Sequence, residues 1–147
     1  MEHDLFFDGN IKEYTWIIRT GKKIAEQIRE HPPAYMSGGK LDVKAIEESK
    51  FIALHIGIYW GLGVYIIKDD DQVNVMCDSK LMYEVFTQGK ELDNQIINDK
   101  IHFINQLTKL RNLKMNFQLI DEDKNLSTKH LFSKGKDTAG RDSFSYV

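Results

Sequence analysis

Two aspartates stand directly after short apolar runs of the kind that form buried strands. Asp8 follows Leu5-Phe6-Phe7, and Asp78 follows Val75-Met76-Cys77. If these strands are parallel neighbours, both carboxylates lie at one end of the sheet, where open α/β sheets bind ligands. Glu48, at the start of a long apolar stretch, is a third acid that needs a partner if it is buried. On spacing alone, turn aspartates and an ordinary helix glutamate remain an equally good interpretation.

The chemistry of such a cluster is metal binding. Three carboxylates at one edge cannot all stay ionised without a cation between them. Sites built only from carboxylate oxygens suit Mg²⁺ or Mn²⁺. Asp8, Glu48 and Asp78 are therefore predicted as ligands of Mg²⁺ or Mn²⁺.

The elements that must position these acids are predicted from apolar periodicity and turn residues. Asp42 is the expected N-cap of the long apolar helix, and Ser79 that of a shorter one. Residues 64–67 are open to interpretation as a strand or a connector, and residues 25–30 as a strand or a helix. The predicted order is a strand ending at residue 8, a hairpin around residues 20–21, a helix from about 43, a strand at 73–77, a helix at 80–86, a helix from about 93, a strand at 115–120 and a short helix at 126–134.

Length and composition indicate one domain. The chain has 147 residues, of which 41% are hydrophobic, and only 2 prolines. Residues 1–134 are assigned to the domain and residues 135–147 to a polar C-terminal tail. A single Cys excludes an internal disulfide and a Cys-based zinc site and favours a reducing compartment. With no basic N-terminal region and no sufficiently long apolar span, the expected location is the cytoplasm.

Charge is nearly balanced overall but uneven along the chain. The net charge of −2 argues against a strongly basic nucleic-acid coat protein. The last 24 residues nevertheless carry more basic than acidic side chains, so a local basic edge for a polyanion stays open beside the plainer interpretation of a solvated surface. The basic residues there are Lys124, Lys129, Lys134, Lys136 and Arg141.

Three segments together resemble the ribonuclease H family. Residues 5–10, Leu-Phe-Phe-Asp-Gly-Asn, resemble its first strand, which ends in Asp-Gly. Residues 47–64 look like its first helix, where a Glu precedes an apolar run closing in Gly-Val. Residues 73–79 resemble its strand ending in Asp-Ser. The resemblance extends from about residue 5 to residue 134. It implies an α/β fold: a ribonuclease H-like mixed five-stranded sheet with helices on both faces.

The resemblance also implies an activity. Members of this family are metal-dependent nucleases that cut the RNA strand of an RNA–DNA hybrid. Their acids map onto Asp8, Glu48 and Asp78, which would hold two metal ions across the scissile phosphate. Hybrid or structured RNA is the expected partner, recognised mainly by backbone and 2′-OH contacts. Residues predicted to contact nucleic acid are Asn10, Lys124, Lys134, Lys136 and Arg141.

One family acid has no counterpart in the sequence. The family's last helix carries an Asn followed four residues later by an Asp. Here Asn125 is followed at that distance by Lys129. Asp123, Asp137 and Asp142 are weak substitutes. A lysine there predicts weaker metal binding and low hybrid cleavage.

Three functions therefore stay open. The first is a divalent-metal-dependent nuclease acting on RNA–DNA hybrids. The second is a catalytically impaired ribonuclease H-like module that binds nucleic acid or serves as a scaffold. The third is a small α/β interaction protein of another lineage, since fold does not fix function. Metal-dependent cleavage separates the first from the second.

Overall fold

A single mixed sheet organises the chain. The structure is a computed structural model that describes residues 1–32 and 45–131. The strands are β1 (Glu2–Gly9), β2 (Glu13–Thr20), β3 (Lys23–Glu30), β4 (Gln72–Cys77) and β5 (Lys114–Leu119). The helices are α1 (Ile46–Gly63), α2 (Lys80–Gln88) and α3 (Gln95–Leu110), followed by a 3₁₀ turn at Glu122–Lys124. A last helix, α4, begins at residue 126 and reaches residue 131, the last residue described.

The strand order is β3-β2-β1-β4-β5. The hairpin strands β1, β2 and β3 pair antiparallel, whereas β1 pairs parallel with β4 and β4 pairs parallel with β5. Leu5 lies opposite Val75 in the parallel pair. The predicted mixed five-stranded sheet is confirmed. The carboxyl ends of β1 and β4 consequently meet at one edge, as a ligand site at their ends requires.

The sheet carries helices on both faces. Alternate residues of the central strands, such as Leu5 and Trp16, are fully buried in one core with Phe51 of α1 and side chains from α2 and α3. The opposite face meets α4, where His130 Nδ1 lies 3.4 Å from the Thr15 hydroxyl. This alternation follows from the two-residue period of a strand.

Close packing of α1 on β2 depends on a glycine. A Cβ added at Gly57 would lie 3.1 Å from the Trp16 Cβ. The absence of a side chain there lets the helix approach the sheet closely, which fixes the position of its N-terminal turns relative to β1 and β4.

Several local predictions are settled by the structure. Residues 25–30 form a strand, and residues 64–67 are a connector in which Tyr65 has a left-handed φ of 64°. Ser79 caps α2 as predicted, accepting a hydrogen bond from the Met82 amide. The prediction that Asp42 caps the long helix, with a start at about 43, is wrong, because α1 begins at Ile46 with Ala45 at its N-cap position. The end of the predicted last helix and the polar tail at 135–147 lie outside the described residues. Among the described residues, no helix has the length and apolar character needed to cross a bilayer.

Candidate functional site

The two predicted aspartates converge at the edge of the sheet. Asp8 is the penultimate residue of β1, and Asp78 directly follows β4, its parallel neighbour. Both side chains are buried, with exposed fractions of 9% and 2%. They line a cleft of about 440 Å³ whose other walls come from the start of α1 and the 122–128 segment.

Gly9 explains how α1 comes so close to this edge. A Cβ at Gly9 would lie 2.1 Å from the Ser49 hydroxyl oxygen and 2.9 Å from the Ser49 Cβ. No side chain fits at that separation. The Asp-Gly pair at the end of β1 therefore has a steric cause, and it places the second turn of α1 against the two aspartates.

Lys50 of α1 lies between the two carboxylates. Its Nζ is 2.8 Å from Oδ1 of Asp78 and 3.7 Å from Oδ1 of Asp8. Only 13% of the Lys50 side chain is exposed. One ammonium therefore compensates two buried carboxylates, which could not otherwise lie side by side without a large electrostatic penalty.

The remaining carboxylate oxygens also accept hydrogen bonds from the protein. The Thr128 hydroxyl donates to Oδ2 of Asp8, and the Gly9 amide donates to Oδ1 of the same residue at 2.8 Å. Nδ2 of Asn125 donates to Oδ2 of Asp78 at 2.9 Å. Each of the four oxygens thus has a protein donor or the Lys50 ammonium within reach.

The pKa shifts reflect this mutual compensation. Burial raises the pKa of Asp8, partly opposed by the Thr128 hydrogen bond and the Lys50 charge. Burial alone would lower the pKa of Lys50, but the hydrogen bond and charge of Asp78, together with Asp8, raise it overall. The ammonium is therefore the favoured state of Lys50 in the folded protein.

The third predicted ligand, Glu48, is hydrogen-bonded to the start of α3. Its Oε2 accepts a hydrogen bond of 2.7 Å from Nδ2 of Asn94, which caps α3. The α1 residues that line the cleft are Ile46, Glu47 and Lys50. Residues three apart share a helix face, whereas a neighbour in sequence is rotated by about 100°. Glu48 therefore joins α1 to α3, and Glu47 is the α1 acid at the cleft.

Thr128, rather than Lys129, meets the aspartates from α4. Lys129 is exposed and is absent from the residues that line the cleft. The expectation that Lys129 neutralises the carboxylates is therefore wrong, because Lys50 of α1 neutralises them. Among the weak substitutes, Asp123 is exposed, and Asp137 and Asp142 lie outside the described residues.

The predicted nucleic-acid contacts fall into two groups. Asn10 lines the cleft, and its Oδ1 accepts hydrogen bonds from the Lys12 and Glu13 amides, which fixes the β1–β2 turn. Lys124 is exposed on the 3₁₀ turn two residues after Glu122, another cleft residue. Lys134, Lys136 and Arg141 lie outside the described residues.

As arranged, these residues do not fit a two-metal centre. The two aspartates share a lysine ammonium, which occupies the position between them. Within residues 1–32 and 45–131, no group of three or more His, Cys, Asp or Glu side chains is arranged to hold a metal ion. The predicted Mg²⁺ or Mn²⁺ site thus conflicts with the donor set at this edge.

Lys50 and Thr128, which contact the aspartates directly, are among the site residues that the sequence did not predict. A lysine on a helix is usually a solvated side chain, so its type alone gave no signal. A usable signal was its spacing of three residues from Glu47, which puts both on one face of α1.

Comparison with solved structures shows the fold. The chain is similar to RNase H1 from the halophilic archaeon Halobacterium salinarum NRC-1, with a TM-score of 0.68, 14% identity and coverage of 93% of this chain and 98% of that one. It is similar to the N-terminal RNase H domain of rv2228c from Mycobacterium tuberculosis, with a TM-score of 0.66, 14% identity and coverage of 89% and 95%. It is also similar to LC11-RNase H1, solved in complex with RNA/DNA hybrid, with a TM-score of 0.61, 12% identity and coverage of 88% and 98%.

These likenesses confirm the predicted ribonuclease H-like fold. No family model matches the sequence, and no curated protein matches it either. At 12–16% identity the agreement extends to the fold and not to the activity.

Proposed function

We propose that this chain, which has the ribonuclease H-like fold, is a nucleic-acid-binding module that takes an RNA–DNA hybrid or structured RNA at the carboxyl ends of β1 and β4. The observation that carries this proposal is the convergence of Asp8 and Asp78 at that edge, beside an open cleft. A similarly folded protein has been solved with an RNA/DNA hybrid, which supports the same class of ligand.

Recognition would rest on the shape and backbone of an A-form-like duplex. Such duplexes are contacted mainly through phosphates and 2′-hydroxyls across a wide minor groove. The exposed ammonium groups of Lys124, on the 3₁₀ turn, and Lys129, on α4, neighbour cleft residues in sequence and suit phosphate contact. Glu47 and Glu122, in contrast, line the cleft and make it acidic. The affinity for a duplex must therefore come from the basic side chains beside the cleft.

Hydrolysis of the RNA strand with Mg²⁺ or Mn²⁺ is the second candidate function. Its specific support is that Glu47 and Glu122 line the same cleft as Asp8 and Asp78. The contact of Lys50 with both aspartates argues against it, because a cation already lies between them.

The test is equilibrium binding of end-labelled duplexes by fluorescence anisotropy. RNA–DNA hybrid, double-stranded RNA and double-stranded DNA of one sequence are compared in a chelator and in Mg²⁺. We expect the two A-form-like duplexes to bind more tightly than the DNA, and to bind in chelator. The control for charge is Lys22→Glu, in an exposed turn at the far end of the sheet. Its affinity for each duplex should match that of the wild type. Equal affinity for all three duplexes, or no binding to any, would overturn the proposal.

A further inference from the structure

We propose that Lys50 is a tethered cation: its ammonium takes the position between Asp8 and Asp78 that a shared divalent ion would need, and the site therefore works without metal. The proposal concerns the same cleft as the proposed function. Its relevance to nucleic-acid binding rests on that proposed function. Its metal-binding consequence is independent of nucleic acid.

Geometry places the ammonium where a bridging ion would act. Lys50 Nζ contacts Oδ1 of Asp78 at 2.8 Å and lies 3.7 Å from Oδ1 of Asp8. A divalent ion bridging the two acids must use oxygens from both, and would stand next to a positive charge. Like charges that compete for the same oxygens disfavour each other, so the lysine opposes metal entry.

Oxygens facing away from Lys50 are also engaged. Thr128 donates to Oδ2 of Asp8, and Asn125 donates to Oδ2 of Asp78 at 2.9 Å. A metal that avoided the ammonium would have to share these oxygens with the Thr128 and Asn125 donors.

The backbone of Lys50 is fixed by its neighbours in α1. Ser49 and Phe51, on either side, are fully buried. The Ser49 hydroxyl packs against Gly9 and lies 2.7 Å from Nε2 of His31. The helix therefore cannot rotate to turn Lys50 out of the site without disrupting the core on both sides of it.

A single substitution at Lys50 should consequently create metal affinity. Lys50→Glu removes the positive charge and adds a carboxylate on the face of α1 that already carries Glu47. Lys50→Gln removes the charge and keeps most of the side-chain volume. It therefore provides a second test if the acidic variant does not fold. Lys22→Glu makes the same change of two charge units in an exposed turn at the opposite end of the sheet and is the matched control.

The experiment is titration with MnCl₂ in the absence of nucleic acid, followed by calorimetry and by thermal unfolding. The wild type and Lys22→Glu are expected to show no saturable binding and no shift in Tm. Lys50→Glu is expected to bind at least about tenfold more tightly than the wild type, with a rise in Tm of about 3–5 °C at ten times its Kd. Lys50→Gln is expected to fall between them.

Three results would overturn the proposal. They are wild-type binding as tight as that of Lys50→Glu, an equal gain in Lys22→Glu, or no gain in either Lys50 variant. Failure of the proposed function gives a different result: the wild type alone, measured in chelator, does not bind the hybrid. The two failures are therefore distinguishable.

Discussion

Nδ2 of Asn125 donates a hydrogen bond of 2.9 Å to Oδ2 of Asp78. The same nitrogen lies 2.9 Å from the carbonyl oxygen of Phe7 and donates to it as well. Asn125 is fully buried, and its own Oδ1 accepts from the Ser127 amide at 3.0 Å. One amide side chain therefore joins the ends of β1 and β4 to the start of α4 and orients the Asp78 carboxylate.

Removing this amide should destabilise the fold. Asn125→Ala leaves a buried carboxylate oxygen and a buried carbonyl without their donor, so we expect the free energy of unfolding to fall by about 2–4 kcal/mol. Asn125→Asp should cost more, because it buries a second negative charge beside Asp78. Urea denaturation measures both. Asn98→Ala, whose amide bonds an exposed carbonyl, should stay within about 0.5 kcal/mol of the wild type. Similar losses for Asn98→Ala and Asn125→Ala would contradict this role.

Gly9 should tolerate no side chain. Gly9→Ala puts a Cβ within 2.1 Å of the Ser49 hydroxyl, so we expect a loss of about 1–3 kcal/mol in unfolding free energy. Adding Ser49→Gly to Gly9→Ala should recover part of it by removing the clashing atoms. Gly63→Ala, where nothing lies within 4 Å of the added Cβ, is the control and should not destabilise. No recovery in the double variant would show that the clash lies elsewhere.

Stability should fall on mild acidification because of His55. Burial, with a contribution from the Lys100 charge, lowers the pKa of His55 to about 4. Between its ordinary pKa of 6.5 and this value, the unfolded chain binds a proton that the folded chain does not. The free energy of unfolding therefore decreases as pH falls through this window, by about 1 kcal/mol once solvent screening is allowed for.

The variant His55→Gln isolates this effect. Its unfolding free energy, measured in urea at pH 7 and pH 5, should change less between the two than that of the wild type. His102→Gln, at an exposed position on α3, should behave like the wild type. An unaltered pH dependence in His55→Gln would assign the effect to other groups.

Phosphate contact by Lys124 predicts a change in salt dependence. Lys124→Ala should weaken hybrid binding and reduce the slope of log affinity against log salt by about 1. Lys129→Ala should act in the same way if α4 follows the duplex. Lys22→Ala should leave the slope unchanged. Slopes that match the wild type in both the Lys124 and the Lys129 variants would place the duplex on another surface.

The sequence was sufficient for the sheet and for the two aspartates. Strand runs that end at Asp8 and Asp78 identified the carboxyl ends of neighbouring parallel strands, and the structure brings these residues together. The apolar run of α1 identified the helix but not its rotation about its axis. Because each residue turns the helix by about 100°, the choice between Glu47 and Glu48 depended on contacts with Gly9 and Asn94.

The contacts of Lys50 and Thr128 with the aspartates also could not be predicted from the sequence. The prediction assigned the compensating lysine to α4, at Lys129, from the resemblance to the last helix of the ribonuclease H family. In the structure the compensating charge comes from α1 instead, and α4 presents Thr128 to Asp8. Both contacts depend on how α1 and α4 pack on the sheet. This packing is a tertiary property that the local periodicity of the sequence does not predict.

Metal-independent binding at the cleft is tested by a time course of labelled RNA–DNA hybrid with the wild-type protein in Mn²⁺ and in chelator, with Asp78→Asn in parallel. Binding is followed by gel shift and the RNA strand by denaturing electrophoresis. We expect the hybrid to be bound under both conditions and the RNA to stay intact in both. Cleavage of the RNA in Mn²⁺ that stops in chelator and in Asp78→Asn would contradict this expectation, because Lys50 would then not keep the metal out.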